Sequence, residues 1–142
     1  MPLLKAGLTR GGDVGRLTRL LAGSRVVSIT GVGGAGKTRL AVEVAHVSAE
    51  TFPDGAYFVD LTATDDASMV AEVVASTLRL APPVVGSALD ATIEHLHRRQ
   101  ALLVLDNCEH VLSGVAELVD QLADADARCA VLLTSREAVG LV

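Results

Sequence analysis

Aromatic residues are nearly absent from this 142-residue chain: it has no tryptophan, one tyrosine and two phenylalanines, so rings cannot fill its interior. Half of the residues are nonetheless apolar. Val, Leu, Ile and Ala must then build the core, a composition suited to a buried parallel sheet covered by helices. Cysteine is equally scarce. Cys108 and Cys129 make no C-x-x-C pair, which argues against a disulfide framework or a zinc site and leaves two small buried hydrophobes. Long apolar runs are missing as well: no stretch approaches the roughly 18 uninterrupted apolar residues of a membrane span. The opening MPLLKAGLTRGGD lacks the apolar centre of a signal peptide, so a cytoplasmic protein without membrane contact is expected. There is no excess of basic charge either. A net charge of -5 argues against a broad basic face, so this segment is not expected to grip nucleic acid itself.

What the chain does contain is alternation. After an irregular, glycine-containing start, Asp13 can cap a short helix with Val14, Leu17, Leu20 and Leu21 on one face. The β-branched run Val26-Val27-Ser28-Ile29-Thr30 then predicts a strand. Helical spacing follows from Lys37 to Ala49, a strand over Ala56 to Leu61, a helix over Ser68 to Leu80 and another started by Ser87 or Asp90. Ala101 to Leu105 predicts the third strand, Ser113 to Ala123 a helix, and Ala130 to Thr134 the fourth strand. This is the β-α pattern of a doubly wound α/β sheet, in which ligands sit beyond the carboxyl ends of the strands. The residues at those ends are Thr30 with the glycine loop, Asp60, Asp106 and Thr134-Ser135-Arg136.

The loop after the first strand, Gly31-Val32-Gly33-Gly34-Ala35-Gly36-Lys37-Thr38, satisfies two phosphate-binding patterns at once. Read as G-x-G-x-x-G it is a dinucleotide fingerprint, for which Asp60 is a fair partner to the ribose hydroxyls. That reading has no use for an ammonium at Lys37. Read as G-x-x-x-x-G-K-[ST] it is a P-loop, and every position has work: backbone N–H groups turn around phosphate oxygens, Lys37 reaches the β and γ phosphates, and Thr38 ligates magnesium. The helix beginning there adds its positive end, and Arg39 follows on its first turn. Far along the chain, Leu102-Leu103-Val104-Leu105-Asp106 delivers the carboxylate that a P-loop NTPase needs opposite the phosphates to hold the metal. GKT and this Asp together decide for the P-loop.

Three positions bear on hydrolysis. Many P-loop ATPases carry a second acid directly after the magnesium Asp; here that residue is Asn107. Glu109 can polarise the attacking water or can simply be a first-turn acid of the next helix, and the residues leave both open. Arg136, beyond the fourth strand, is the candidate for charge on the terminal phosphate. Slow or no hydrolysis is therefore expected. His95 and His97 are two apart on an expected helix and so point in different directions, and His46 and His110 have no nearby Cys or second ligand at metal spacing.

With these residues in hand the chain resembles the STAND class of signalling ATPases, in particular the NB-ARC-like ATPase cores of LuxR- and SARP-family bacterial transcriptional regulators. The resemblance lies in VVSITGVGGAGKTRLAVEVA, FPDGAYFVDL, LLVLDNCEHV and VLLTSREAVGL. It implies a P-loop NTPase three-layer α/β sandwich whose mostly parallel sheet has the order 1-4-3-2, preceded by a lead-in over residues 1–25, with the truncated core over 26–142. It also implies an ATP/ADP switch with Mg2+, whose lid, sensor and DNA-binding modules lie elsewhere, and nucleotide-dependent self-association. By the resemblance Lys37 and Thr38 are the phosphate and magnesium residues, Asp106 the Walker B acid and Arg136 the sensor arginine; with the loop residues Gly31, Val32, Gly33, Gly34, Ala35 and Gly36 and with Arg39 they form the expected nucleotide site, Thr38 and Asp106 the metal site, and Glu109 stays the candidate for the attacking water. Two departures stand out. The element that helps cradle the base is poorly kept in Thr9-Arg10-Gly11-Gly12-Asp13, and the fifth strand that normally pairs outside the first is missing, so the P-loop strand is expected to be an exposed edge. The alternatives are a P-loop small-molecule kinase and a truncated remnant that binds nothing tightly.

Overall fold

The apolar runs become strands and the amphipathic stretches helices in the computed structural model, which describes residues 3–7, 13–31 and 36–136. In chain order these are β1 (Leu3–Gly7), α1 (Asp13–Gly23), β2 (Val26–Thr30), α2 (Gly36–Val47), β3 (Ala56–Asp60), α3 (Val70–Thr77), α4 (Ala88–Leu96), β4 (Leu102–Asp106), α5 (Leu112–Asp124) and β5 (Ala130–Ser135). Short 3-10 turns, Ala67–Met69 and Cys108–His110, precede α3 and α5.

All strand pairs are parallel and the sheet runs β1-β2-β5-β4-β3. The last four are the expected 1-4-3-2 order. The bare edge beside the P-loop strand is not found: β1 pairs with β2 from Leu3 opposite Val26 to Gly7 opposite Thr30. Leu3-Leu4-Lys5-Ala6-Gly7 has no β-branched residue and no two-residue alternation, so neither signal marks it as a strand. Its partner is what makes it one. The connection through α1 completes a βαβ unit, the usual link between parallel neighbours.

The two sheet faces bury different halves of the apolar inventory. Leu103, Leu105, Val131 and Leu133 meet Val74, Leu96, Val115, Leu118 and Leu122 of α3, α4 and α5 on one side. On the other, Val27, Ile29, Leu102, Val104 and Leu132 meet Leu17 and Leu21 of α1 and Ala41 and Val44 of α2. Every residue of β4 and β5 is buried, as expected of central strands covered on both faces. β3, the outer strand, is exposed at Ala56, Phe58 and Asp60 and buried at Val59. The helix expected over Ser68 to Leu80 is shorter at both ends. Asp66 accepts the Ser68 N–H at 3.0 Å and starts a 3-10 turn, while Arg79 at φ 59 takes the left-handed conformation that ends it. At α4 both candidate starters act together: Ser87 caps the Asp90 N–H at 3.1 Å and Asp90 accepts the Ser87 N–H at 3.3 Å.

Near the start of α5 the backbone passes close to the 3-10 turn before α3. A Cβ at Gly114 would stand 2.1 Å from the Ala67 carbonyl oxygen and 2.7 Å from Val70 Cγ2, whereas a Cβ at Gly23 would meet nothing within 4 Å. Gly114→Ala is expected to destabilise the fold by roughly 1–3 kcal/mol in urea unfolding. Gly23→Ala should stay within about 0.5 kcal/mol of the parent. Equal stability of the two variants would contradict the close approach.

Candidate functional site

Parallel strands bring their carboxyl ends to one edge, and α2 is the next element after β2. The chain leaves β2 through Gly31, whose N–H donates to the Ser135 carbonyl at 3.3 Å and so ties the loop to the end of β5. Val32, Gly33, Gly34 and Ala35 lie outside the described residues. Gly36 opens α2 and is exposed, as is Arg39. Lys37 is only 4% exposed, and its Nζ donates to the Gly31 carbonyl at 2.8 Å. A flexible ammonium buried against one carbonyl is readily offered to a stronger acceptor such as a phosphate oxygen.

Asp106, at the end of a strand buried on both faces, is 2% exposed. Three neutral side chains donate to it. Thr38 Oγ1 lies 2.9 Å from Oδ2 and 3.1 Å from Oδ1, Asn107 Nδ2 lies 3.0 Å from Oδ2, and Thr134 Oγ1 donates to Oδ1. Thr134 is in turn held by the Asn107 backbone N–H at 3.0 Å. Asn107 takes the left-handed conformation, φ 63 and ψ 55, which asparagine tolerates better than most residues. Its amide also donates to Thr62 Oγ1 at 2.7 Å. Thr62 gives its hydroxyl proton to Asp60 Oδ1, and its N–H donates to the same oxygen at 2.9 Å. Asp60 stands opposite Asp106 in the β3–β4 register.

A hydroxyl and a carboxylate are the hard oxygen donors that suit magnesium, which keeps most of its shell for water and substrate phosphates. Among the described residues no three His, Cys, Asp or Glu side chains form a metal cage. A magnesium ion held chiefly by phosphates needs none. Among those same residues the ion pair is Arg25–Asp126, 2.9 Å apart, and the side chains bonded to Asp106, those of Thr38, Asn107 and Thr134, are all neutral. Such a buried carboxylate favours a cation beside it, and the donor set fits a divalent one.

Glu109 and Arg136 are brought together, though through the backbone: the Arg136 N–H donates to Glu109 Oε1 at 3.0 Å. Glu109 is half-buried and Arg136 exposed at the end of β5. Thr62 and the bonding role of Thr134 were not legible as site features. The only local signal for Thr62 is its place two residues after a strand-ending Asp, where a hydroxyl commonly turns back to the carboxylate. His95 is remote from this edge and accepts the Arg99 Nε–H at 3.1 Å. A groove of about 1060 Å3, lined by Asp54, Asp90, Glu94, His95 and Arg98 among others, lies by the segments that lead into β3 and β4, away from the strand ends that bear Asp106. The Thr9 to Gly12 part of the base-cradling element lies outside the described residues.

Comparison with known proteins agrees with this geometry. The NB-ARC domain family matches residues 12–139. A Mycobacterium tuberculosis protein named as an HTH-type transcriptional regulator is 41% identical over 122 residues, covering 86% of this chain and 14% of its own length. Regulatory protein AfsR of Streptomyces griseus is 34% identical over 119 residues, 78% of this chain and 12% of its own. The chain thus spans about one seventh or less of these relatives. Among solved structures, Cdc6p from Pyrobaculum aerophilum superposes with a TM-score of 0.61 at 22% identity, over 88% of this chain and 38% of its own. The Aeropyrum pernix ORC2 protein, solved as ADPNP-ADP complexes, gives 0.62 at 19% identity, over 94% and 43%. These two show the fold.

Two outcomes follow from the electrostatics. The Thr62 hydroxyl, then its N–H, hold the Asp60 carboxyl below its ordinary value against a smaller opposing effect of burial, with Asn107 adding to them. The stability from these bonds is present above the ordinary carboxylate value, about 3.9, and is lost as pH falls through the lower folded value. Carbon-detected titration of Asp60 should therefore move to higher pH in Thr62→Val; an unchanged midpoint would contradict the bond. Burial also raises both thiols, Cys129 to about 12 and Cys108 further, with the Glu109 and Asp106 charges adding at Cys108. Neither should react with a thiol reagent at pH 8 until the chain is unfolded; native labelling of either would contradict the burial.

Proposed function

The chain belongs to the NB-ARC family, and we propose that it is the Mg-ATP/ADP-binding core of a regulatory protein, a switch set by which nucleotide it holds rather than by rapid turnover. The observation that carries this reading is the meeting of Lys37, Thr38 and Asp106 at the carboxyl edge of the sheet, with Thr38 Oγ1 within 3.1 Å of both Asp106 oxygens and Lys37 buried beside Gly31. In this proposal the loop from Gly31 through Val32, Gly33, Gly34 and Ala35 to Gly36 turns its N–H groups to the phosphates. Lys37 exchanges the Gly31 carbonyl for β and γ phosphate oxygens, the amino end of α2 adds its dipole, and Arg39 flanks the site. Thr38 and Asp106 hold the metal. Magnesium, when bound, neutralises phosphate charge and fixes the phosphate geometry.

Slow hydrolysis is supported by what stands where a base is needed. Asn107 is neutral and cannot take a proton, and one oxygen of Glu109 already accepts the Arg136 N–H. Arg136 is assigned to charge on the terminal phosphate. The share of the regulators' length left uncovered supports placing the lid, sensor and DNA-binding modules elsewhere in the same or a partner chain, with nucleotide-dependent self-association as the output. None of the described helices is long and apolar enough to cross a membrane; a cytoplasmic setting is part of the proposal.

Thermal unfolding with Mg-ATP, Mg-ADP, GTP or NAD tests this directly. Ligand at a hundred times its Kd contributes about 2.7 kcal/mol, which for a domain of this size raises Tm by on the order of 5–10 °C. Adenine nucleotides should give that shift and Lys37→Ala should lose nearly all of it. A shift with NAD alone, or none with any nucleotide, would contradict the proposal.

A further inference from the structure

The nucleotide site proper accounts for Thr38 and Asp106 but leaves unexplained a run of bonds that continues from Asp106 to the outer strand. Asp106 Oδ2 accepts Asn107 Nδ2 at 3.0 Å, Thr62 Oγ1 accepts the same amide at 2.7 Å, and Asp60 Oδ1 accepts the Thr62 hydroxyl. The donors in this run have one direction. An ionised carboxylate only accepts, so Asp60 takes the Thr62 proton and leaves the Thr62 oxygen free to accept. Asn107 can satisfy both Thr62 and Asp106 only by presenting its NH2 group to each, which fixes the rotation of its amide. That amide then pins Oδ2 while Thr134 pins Oδ1, leaving the Asp106 carboxylate one orientation. The 63° φ of Asn107 is what lets one residue bond Asp106 and Thr62 through its side chain and Thr134 through its N–H.

We infer that Asp60 and Thr62 are positioning residues for the magnesium site, acting on Asp106 through Asn107. This rests on the nucleotide reading above. Outer-shell bonds of this kind orient a metal-ligating carboxylate, and removing one commonly weakens metal binding by about 10–100-fold. Thr62 and Asp60 are exposed, so their substitution leaves the core untouched.

Two measurements on the full chain separate this inference from the reading beneath it. Asn107 is the only asparagine in the chain, so asparagine-selective 15N labelling yields one side-chain amide pair. In the nucleotide-free protein Thr62→Val and Asp60→Ala should shift that pair and speed its exchange with water, while Thr62→Ser should keep it at the parent position. ATP affinity is then measured by calorimetry in Mg2+ and in EDTA. Thr62→Val should leave the EDTA affinity unchanged and cut the gain from Mg2+ by about tenfold, with Thr62→Ser restoring it. An Asn107 amide pair unmoved by Thr62→Val overturns the inference whatever the nucleotide data. A full magnesium gain in Thr62→Val overturns it while the nucleotide reading stands. A parent chain that gains nothing from Mg2+ overturns both.

Discussion

A carboxylate buried at the end of a central strand must be given donors, and the carboxyl edge of this fold is arranged around that need at Asp106. Leaving such a charge unpaired in the interior costs several kcal/mol. Thr38 reaches it from α2, Thr134 from β5 and Asn107 from the turn after β4. Each donor comes from a different element, so the carboxylate couples the phosphate loop, the central strands and the turn before α5. The donors are all neutral. Asp106 is thereby held at the edge where α2 presents its amino end, with its oxygens oriented by Thr38, Thr134 and Asn107.

The sheet makes that convergence geometrically unavoidable. Parallel pairing of β2, β5, β4 and β3 in register sets Thr30 beside Ser135 and Asp60 beside Asp106 at the same edge. Leu102 to Leu105 and Ala130 to Leu133 bury alternate side chains against α1 and α2 on one face and α3 to α5 on the other, so neither strand can slip without exposing its core residues. β1 completes the arrangement by pairing with the strand that carries the phosphate loop, giving β2 a neighbour on both sides. Without it, the apolar β2 would present an open row of backbone groups.

Local patterns in the sequence were enough for much of this. Val26 to Thr30 followed by GKT announces strand, loop and helix, and four apolar residues running into Asp106 announce the opposing carboxylate, because each pattern is written in consecutive residues. The elements that escaped are those created by partners distant in sequence. Leu3 to Gly7 has no intrinsic preference for a strand and becomes one beside β2. Thr62 carries no mark of function until the register of β3 on β4 sets Asp60 beside Asp106 and Asn107 turns left-handed between them. Asp60 itself, a fair partner for a ribose on spacing alone, is instead bonded to Thr62. Asp66 and Arg79 shortened a helix through a cap and a left-handed residue that apolar spacing does not register.

We propose that Lys37, Thr38 and Asp106 form one magnesium-nucleotide site. This is tested most directly by a crystal structure of the chain grown with Mg2+ and a non-hydrolysable ATP analogue. The triphosphate should lie along the loop from Gly31 to Gly36, with Lys37 Nζ moved from the Gly31 carbonyl to phosphate oxygen and the metal adjoining Thr38 and Asp106. A nucleotide bound elsewhere, or one that leaves Lys37 on Gly31 and Thr38 on Asp106 with no metal near them, would contradict it.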